Sequence, residues 1–346
     1  MKRWMAILVL CVGVLGITRI AQAHEVYVLD QQEINFALAA PAPDFVGTIQ
    51  AHLGQFLSWG LLTLLIIIGV FFISIARPVE RAIDPYLAHL KTLAPRIAQA
   101  TLGVSLLASG WYRAIFGIEL PMRAVFGTAT PLVSGLLIAL GGLLVLGILP
   151  RIAAFATTVL FGVLVGHYGI YMTNYATYLG EALTVLLFGG AYHLVESHQI
   201  AKWLGRVEAK IAPHLHAYKF LIMRVLFGIS LIYASLYAKL IHGNLALETV
   251  TKYHLTQYFH FDPIFLVLGA MTIEVMLGLF FILGFEIRFA SLFFLVFLTM
   301  SLLFFGEVVW PHLILIGTSL AMFAHGYDRY CLSERLSKKR RLEPVL

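Results

Sequence analysis

Long apolar runs, broken by short polar or glycine- and proline-containing stretches, set the pattern of this chain. After an opening run from Trp4 to Ile17, the apolar stretches fall at roughly 53–76, 97–117, 131–149, 152–170, 178–196, 220–241, 263–285, 288–306 and 311–326. Most approach the about 20 residues that a helix needs to cross a bilayer. The pattern predicts an all-α, polytopic membrane protein with about nine transmembrane helices. Thr130-Pro131 and Asp262-Pro263 read as helix starts, a capping side chain followed by proline at the first helical position. Trp310-Pro311 opens the last stretch in a similar way.

Composition agrees with this reading. The chain of 346 residues is 60% hydrophobic and 12% charged, far below the charge content of ordinary soluble domains. The formal net charge of +6 could suggest nucleic acid, but the basic residues are dispersed. With the mature amino terminus outside, the inner segments hold Arg77, Arg81, Lys91, Arg96, Arg151, Lys202, Arg206, Lys210, Lys219, Arg288 and a basic tail from 329. Beyond the first 23 residues, only Arg113, Arg123, Lys239 and Lys252 fall on the outer side. That is the positive-inside pattern, with the carboxyl terminus in the cytoplasm, and it removes nucleic acid as a partner. The lipid bilayer is the expected partner, in the cytoplasmic (inner) membrane of a bacterium or archaeon.

The opening segment has its own logic. Lys2 and Arg3, an apolar run and Ala21-Gln22-Ala23 make a secretory signal peptide over residues 1–23. Cleavage there would make His24 the first residue, whose amino group and ring nitrogen could chelate copper together with a second histidine. Residues 24–52 are expected to be an exported lead-in, a short strand at 24–30 followed by poorly structured chain, ahead of an additional helix at 53–76. Residues 77–95 and 197–218 are cytoplasmic amphipathic segments. In the second, Ile200, Trp203, Leu204, Val207 and Ile211 share one helical face and Lys202, Arg206 and Lys210 the other, as in a helix lying on an anionic membrane surface.

Two parts of the chain repeat. Gly103-Val104-Ser105-Leu106 matches Gly228-Ile229-Ser230-Leu231, with Tyr112 and Tyr237 at the same offset. Gly147-Ile148-Leu149-Pro150-Arg151-Ile152-Ala153 matches Gly284-Phe285-Glu286-Ile287-Arg288-Phe289-Ala290. The copies, 96–196 and 219–328, start on the same side of the membrane and form a parallel repeat of two four-helix units, followed by a basic tail at 329–346. The second copy is longer, mostly in the loop Gly243–Phe261.

Candidate chemistry lies at few places. Glu274 is a carboxyl near the middle of its span, where a charge costs roughly 2.5–3.5 kcal/mol and usually marks a site or pathway; Ser230 or Tyr233 could instead hold it as a structural group. Near the outer face each copy gathers a base, an acid and a histidine: Arg113, Glu181 and His167 in the first, Lys239, Glu307 and His312 in the second. Such a cluster could bind an anion, a quinone head group or a metal, and residues snorkelling at the interface are the alternative. Haem is not expected, since His312 and His325 would need a second helix with a matching pair and His193 has none on its span. The aromatic loop Tyr253-His254 to His260-Phe261 reads as an interfacial belt.

The second copy, with Arg224, Gly228, Ala238-Lys239-Leu240, Glu274, Gly278, Gly284 and Arg288-x-Ala290, resembles the DoxX family of small four-helix membrane proteins, and the first copy resembles it more weakly. The resemblance covers about 96–196 and 219–328. In the first copy Leu137 replaces Glu274, and Arg113 stands beside Ala114, the position aligned with Lys239. The resemblance implies a subunit linked to membrane redox complexes, of a quinone-linked or other redox process, with quinone as one candidate cofactor and membrane redox proteins as candidate partners. Glu274, Lys239, His312 and Glu307 are then the catalytic candidates, and Arg113, Glu181, His167, Arg224 and Arg288 the ligand-binding ones. A copper- or small-ligand-handling protein facing the periplasm, or a scaffold without chemistry, are the alternatives.

Overall fold

The computed structural model describes residues 28–76, 86–188, 218–328 and 330–332. The expected signal peptide, His24, the expected amphipathic face at 197–212 and nearly all of the basic tail lie outside the described residues. Within them the chain is helical, with no strand. In order run α1 (Gln31–Ala39), α2 (Phe45–Ala51), α3 (Leu53–Ala76), α4 (Ala94–Tyr112), α5 (Met122–Phe126), α6 (Thr130–Leu146), α7 (Pro150–Tyr168) and α8 (Ala176–Phe188). Then follow α9 (Lys219–Leu236), α10 (Gly243–Lys252), α11 (Leu255–Tyr258), α12 (Pro263–Leu283), α13 (Ile287–Phe305) and α14 (Leu313–His325). Five stretches among the described residues are long and apolar enough to cross a membrane: 122–146, 150–187, 220–241, 263–283 and 287–305. The bent pair α2 and α3, kinked by 86°, would make six. The protein is an all-α polytopic membrane protein. The expected spans at 152–170 and 178–196 form α7 and α8, joined by the 3-10 turn Gly169–Tyr175. Those at 97–117 and 311–326 form α4 and α14, shorter or more polar helices at the centre of the bundle.

The centre is built by exchange between halves. α4 packs on α6 and α9 on α12; α7 packs on α8 and α13 on α14. The last helix of each half then packs on the first helix of the other, α8 on α9 and α14 on α4. Two apolar cores result, one around Leu102, Leu106, Leu137 and Tyr178, the other around Phe227, Phe281, Phe294 and Met322.

Glycine makes the closest contacts, because helices in hydrocarbon associate through small residues that let backbones approach. A Cβ on Gly103 would lie 2.9 Å from the Gly141 carbonyl oxygen, and one on Gly228 would lie 2.4 Å from that of Gly278. Both α6 and α12 end in a left-handed glycine, Gly147 at φ 70° and Gly284 at φ 68°. The following amides close the same two bonds: Gly147 and Ile148 to Leu144 and Leu143, Gly284 and Phe285 to Phe281 and Phe280. Leu149 (φ 47°) and Glu286 (φ 45°) then share a second left-handed position before α7 and α13.

Two local expectations are corrected and one holds. Thr130 does not cap α6; its hydroxyl donates to the Gly127 carbonyl at 2.7 Å, inside a preceding 3-10 turn. Asp262 does cap α12, accepting from Ile264 N at 2.8 Å. The lead-in is not poorly structured over its described residues. Asp30 and Glu33 form a reciprocal capping box at the start of α1, and Leu29, Ile34 and Ala37 bury against Leu245 on α10. Lys252 and Glu33 add an ion pair of 2.6 Å, and Asn244 donates to the Ala40 carbonyl at 2.9 Å.

Candidate functional site: a cavity between the two halves

The sequence-predicted residues do not gather into two equivalent clusters. Lys239 turns to Glu274, with Nζ 2.9 Å from Oε2. Lys239 stands in a π-helical turn, Tyr237–Ile241, that continues α9, and both side chains are mostly buried. The mid-span carboxyl therefore has a cationic partner rather than Ser230, whose hydroxyl donates to the Asn174 carbonyl, or Tyr233. Glu307 and His312 form a separate, fully enclosed pair, His312 Nε2 3.2 Å from Glu307 Oε2, each with 3% side-chain exposure. Ser301 donates to Glu307 Oε1 at 3.1 Å, and His312 Nδ1 lies 3.0 Å from the Val308 carbonyl.

The first-half cluster is dispersed. Glu181 is fully buried in the middle of α8, touching Thr101 on α4 and Thr318 on α14. Arg113 is exposed at the left-handed end of α4, about 18 Å along the helix from Thr101 at 1.5 Å per residue. His167 is exposed at the end of α7, its ring edge-on to Tyr168.

The two arginines of the second half lie together at the Gly284 end of the bundle. Arg224 is 1% exposed; its Nη1 donates to Cys331 Sγ at 3.5 Å and fills the space a Cβ on Gly284 would need. Arg288 donates from Nε to the Phe323 carbonyl at 3.3 Å and lies over the Tyr327 ring, whose hydroxyl donates to Glu286. Burial and the charge of Asp328 push the Cys331 thiol up, and Arg224 pulls it partly back.

The opposite end holds a cavity of about 140 Å³. Tyr171, Asn174, Tyr175, Thr177 and Tyr178 line it from the first half, Ser230, Tyr237, Ala238 and His312 from the second, with Glu119 and His242 at its polar margin. The Tyr175 hydroxyl donates to Glu119. Tyr171 meets Tyr237 edge-on at 5.1 Å, and Tyr237 meets His242 at 4.6 Å. Asn174 Oδ1 and Thr177 Oγ1 are buried and have no hydrogen-bond partner among the described residues. Of the predicted residues that the structure describes, His312 alone lines the cavity; Lys239, Glu274 and Glu307 do not. Tyr175 and Glu119 were missed by sequence reasoning, although a signal existed. The offset that carries Gly147 onto Gly284 also carries Tyr175 onto His312, so a polar residue at one position pointed to the other.

Among the described residues no group of three or more His, Cys, Asp or Glu is arranged to hold a metal ion. Comparison with curated proteins and with solved structures gives no match. The DoxX family model matches residues 219–307, a stretch that includes Arg224, Lys239, Glu274, Arg288 and Glu307 and stops short of His312; this part of the chain is a DoxX domain.

Proposed function

We propose that this DoxX-domain membrane protein is a binding subunit of a quinone-linked redox process, with the cavity between its halves as the head-group site. The observation that carries the reading is the composition of that cavity wall. Tyr171, Tyr175 and Tyr237 offer aromatic faces and edges to a flat ring. The Thr177 hydroxyl, unpartnered among the described residues, can donate to a carbonyl oxygen, and His312, held by Glu307, places an imidazole ring beside it. Apolar walls with a few converging polar groups are the usual make-up of a small-molecule site. In this reading the cavity faces the periplasm of an inner-membrane protein, as the distribution of Lys and Arg supports. Residues 96–196 are a second, diverged DoxX-like copy, supported by the matched glycine contacts and left-handed turns.

The test is chemical. The full-length protein, purified in mild detergent and extracted with organic solvent, should yield a quinone. Ala234→Leu, which fills the cavity from α9, should lose the quinone while keeping its melting temperature. Absence of quinone from the native protein, or its undiminished retention in the variant, overturns the proposal.

A further inference from the structure

We infer that Glu181 is a proton-exchanging carboxylic acid, held neutral at the junction of the two halves and connected to the cavity through Thr177. Burying an ionised carboxylate is costly unless a cation or several donors compensate. Glu181 is 0% exposed, and its hydrogen-bonding neighbours among the described residues are two threonine hydroxyls. Thr318 donates to Oε1 at 2.8 Å. Thr101 Oγ1 lies 3.2 Å from both carboxyl oxygens, but only 2.8 Å from the Ile97 carbonyl of its own helix. A hydroxyl has one proton to give, and the shorter contact takes it. The contact between Thr101 and Glu181 is then a hydrogen bond only if the carboxyl supplies the proton, with Oε2–H donating to Thr101.

Thr177 gives this acid a route out. It precedes Glu181 by one turn of α8, on the same face of the helix. Threonines elsewhere in the bundle give their protons to the carbonyl four residues back: Thr157 to Ala153, Thr158 to Ala154, Thr272 to Leu268, Thr299 to Leu295. Thr177 is 1% exposed, lines the cavity and has no hydrogen-bond partner among the described residues. A buried hydroxyl left uncommitted is a place for a water or a ligand oxygen. Its oxygen can accept the Glu181 proton through one water, while its own proton passes to an acceptor in the cavity. The carboxylate left behind accepts from Thr318 and is reprotonated by the reverse path. The inference rests on the cavity described above and not on the identity of its occupant.

Infrared spectroscopy of the full-length protein on transfer from H2O to D2O tests it. The native protein should show a protonated-carboxyl C=O band that shifts on exchange and is missing in Glu181→Gln. Thr177→Val, which keeps shape and removes the hydroxyl, should slow that exchange by about tenfold, the rate equivalent of one lost hydrogen bond. If Glu181→Gln does not fold, the Thr177→Val comparison alone decides. A band that persists in Glu181→Gln, a carboxyl that never exchanges, or an unchanged rate in Thr177→Val overturns the inference. Exchange in a protein free of quinone would leave it standing while the quinone reading falls; bound quinone with no exchange would do the reverse.

Discussion

The two halves of the bundle share glycine contacts and turns and differ at several buried polar positions. Gly103 meets Gly141 as Gly228 meets Gly278, and Gly147 and Leu149 repeat the left-handed turn of Gly284 and Glu286. Arg151 is buried where Arg288 is. On that common frame the second half carries the Lys239–Glu274 ion pair, and the first carries Ala114 and Leu137, both buried and apolar. Arg224 is matched by Gln99, His312 by Tyr175, and Thr318 by Glu181. The skeleton is therefore set by small residues and turn geometry, which tolerate no addition, while the polar groups have been free to change in linked sets. Lys239 and Glu274 differ from the first half together, as expected where removing one member alone would take a charged neighbour from the other.

The largest effect should come from breaking the shared skeleton. Gly228→Leu drives a side chain into the Gly278 carbonyl, where even a Cβ would lie at 2.4 Å. Gly103→Leu does the same at Gly141. Both variants should fail to give monodisperse protein by size-exclusion chromatography. Survival of one and loss of the other would mean that only one half depends on the glycine contact.

Next comes the ion pair, which can be replaced by the first half's solution. Glu274→Leu alone removes the carboxylate 2.9 Å from Lys239 Nζ and should cost about 1–3 kcal/mol, the penalty for a largely buried cation that loses its charged neighbour. The double variant Lys239→Ala, Glu274→Leu copies Ala114 and Leu137 and should recover most of the lost thermal stability. Losses that simply add in the double variant would show that the two residues do not act as a pair. If the pair carries activity, the double variant should be stable and inactive in a complementation assay.

A smaller effect should distinguish equivalent glycines on the last helices. A Cβ on Gly317 would lie 2.2 Å from the Thr101 side chain, while one on Gly180 would lie 3.3 Å from Leu226. Gly317→Ala should cost about 1–3 kcal/mol by overpacking and disturb the Thr101 contact with Glu181. Gly180→Ala should lie within about 1 kcal/mol of the native protein, because the tight contact of the added Cβ and its better helix propensity offset each other. Equal melting temperatures for the two would show that the crossed packing of the halves is looser than the backbone implies.

The skeleton was legible because its determinants are local. Gly147 and Gly284 end apolar runs, Asp262-Pro263 opens one, and the repeat marks equivalent turns. Asp30 and Glu33 also spelled a capping box, readable before α1 was known. The pairing of polar groups was not legible. Helical periodicity places Glu274 at a depth in the membrane but does not say that a π-turn will bring Lys239 within 2.9 Å. Nor does it say that the last helix of each half packs on the first helix of the other as well as on its own unit, which is what puts Glu181 between Thr101 and Thr318.

The smallest expected effect concerns Arg224, where the halves offer two answers to one structural problem. Gln99 donates from Nε2 to the Leu144 carbonyl at 2.8 Å, satisfying the end of α6. Arg224 occupies the matching place at the end of α12, its guanidinium against Gly284 and the negative pole of the helix. If that capping is its whole role, Arg224→Gln should make the bond Gln99 makes, to the Phe281 carbonyl, and change stability by no more than about 1 kcal/mol. Cys331 reports the charge independently. Burial already pushes its thiol up, and Arg224 opposes this. Losing the guanidinium should push it up further, so alkylation by a small thiol reagent at a fixed alkaline pH should become slower, since the thiolate is the reactive form. Faster labelling would mean that the variant has opened the Gly284 end to solvent. A folded Arg224→Gln protein that also loses activity would assign Arg224 a ligand, and Gln99 would then mark the half that has given it up.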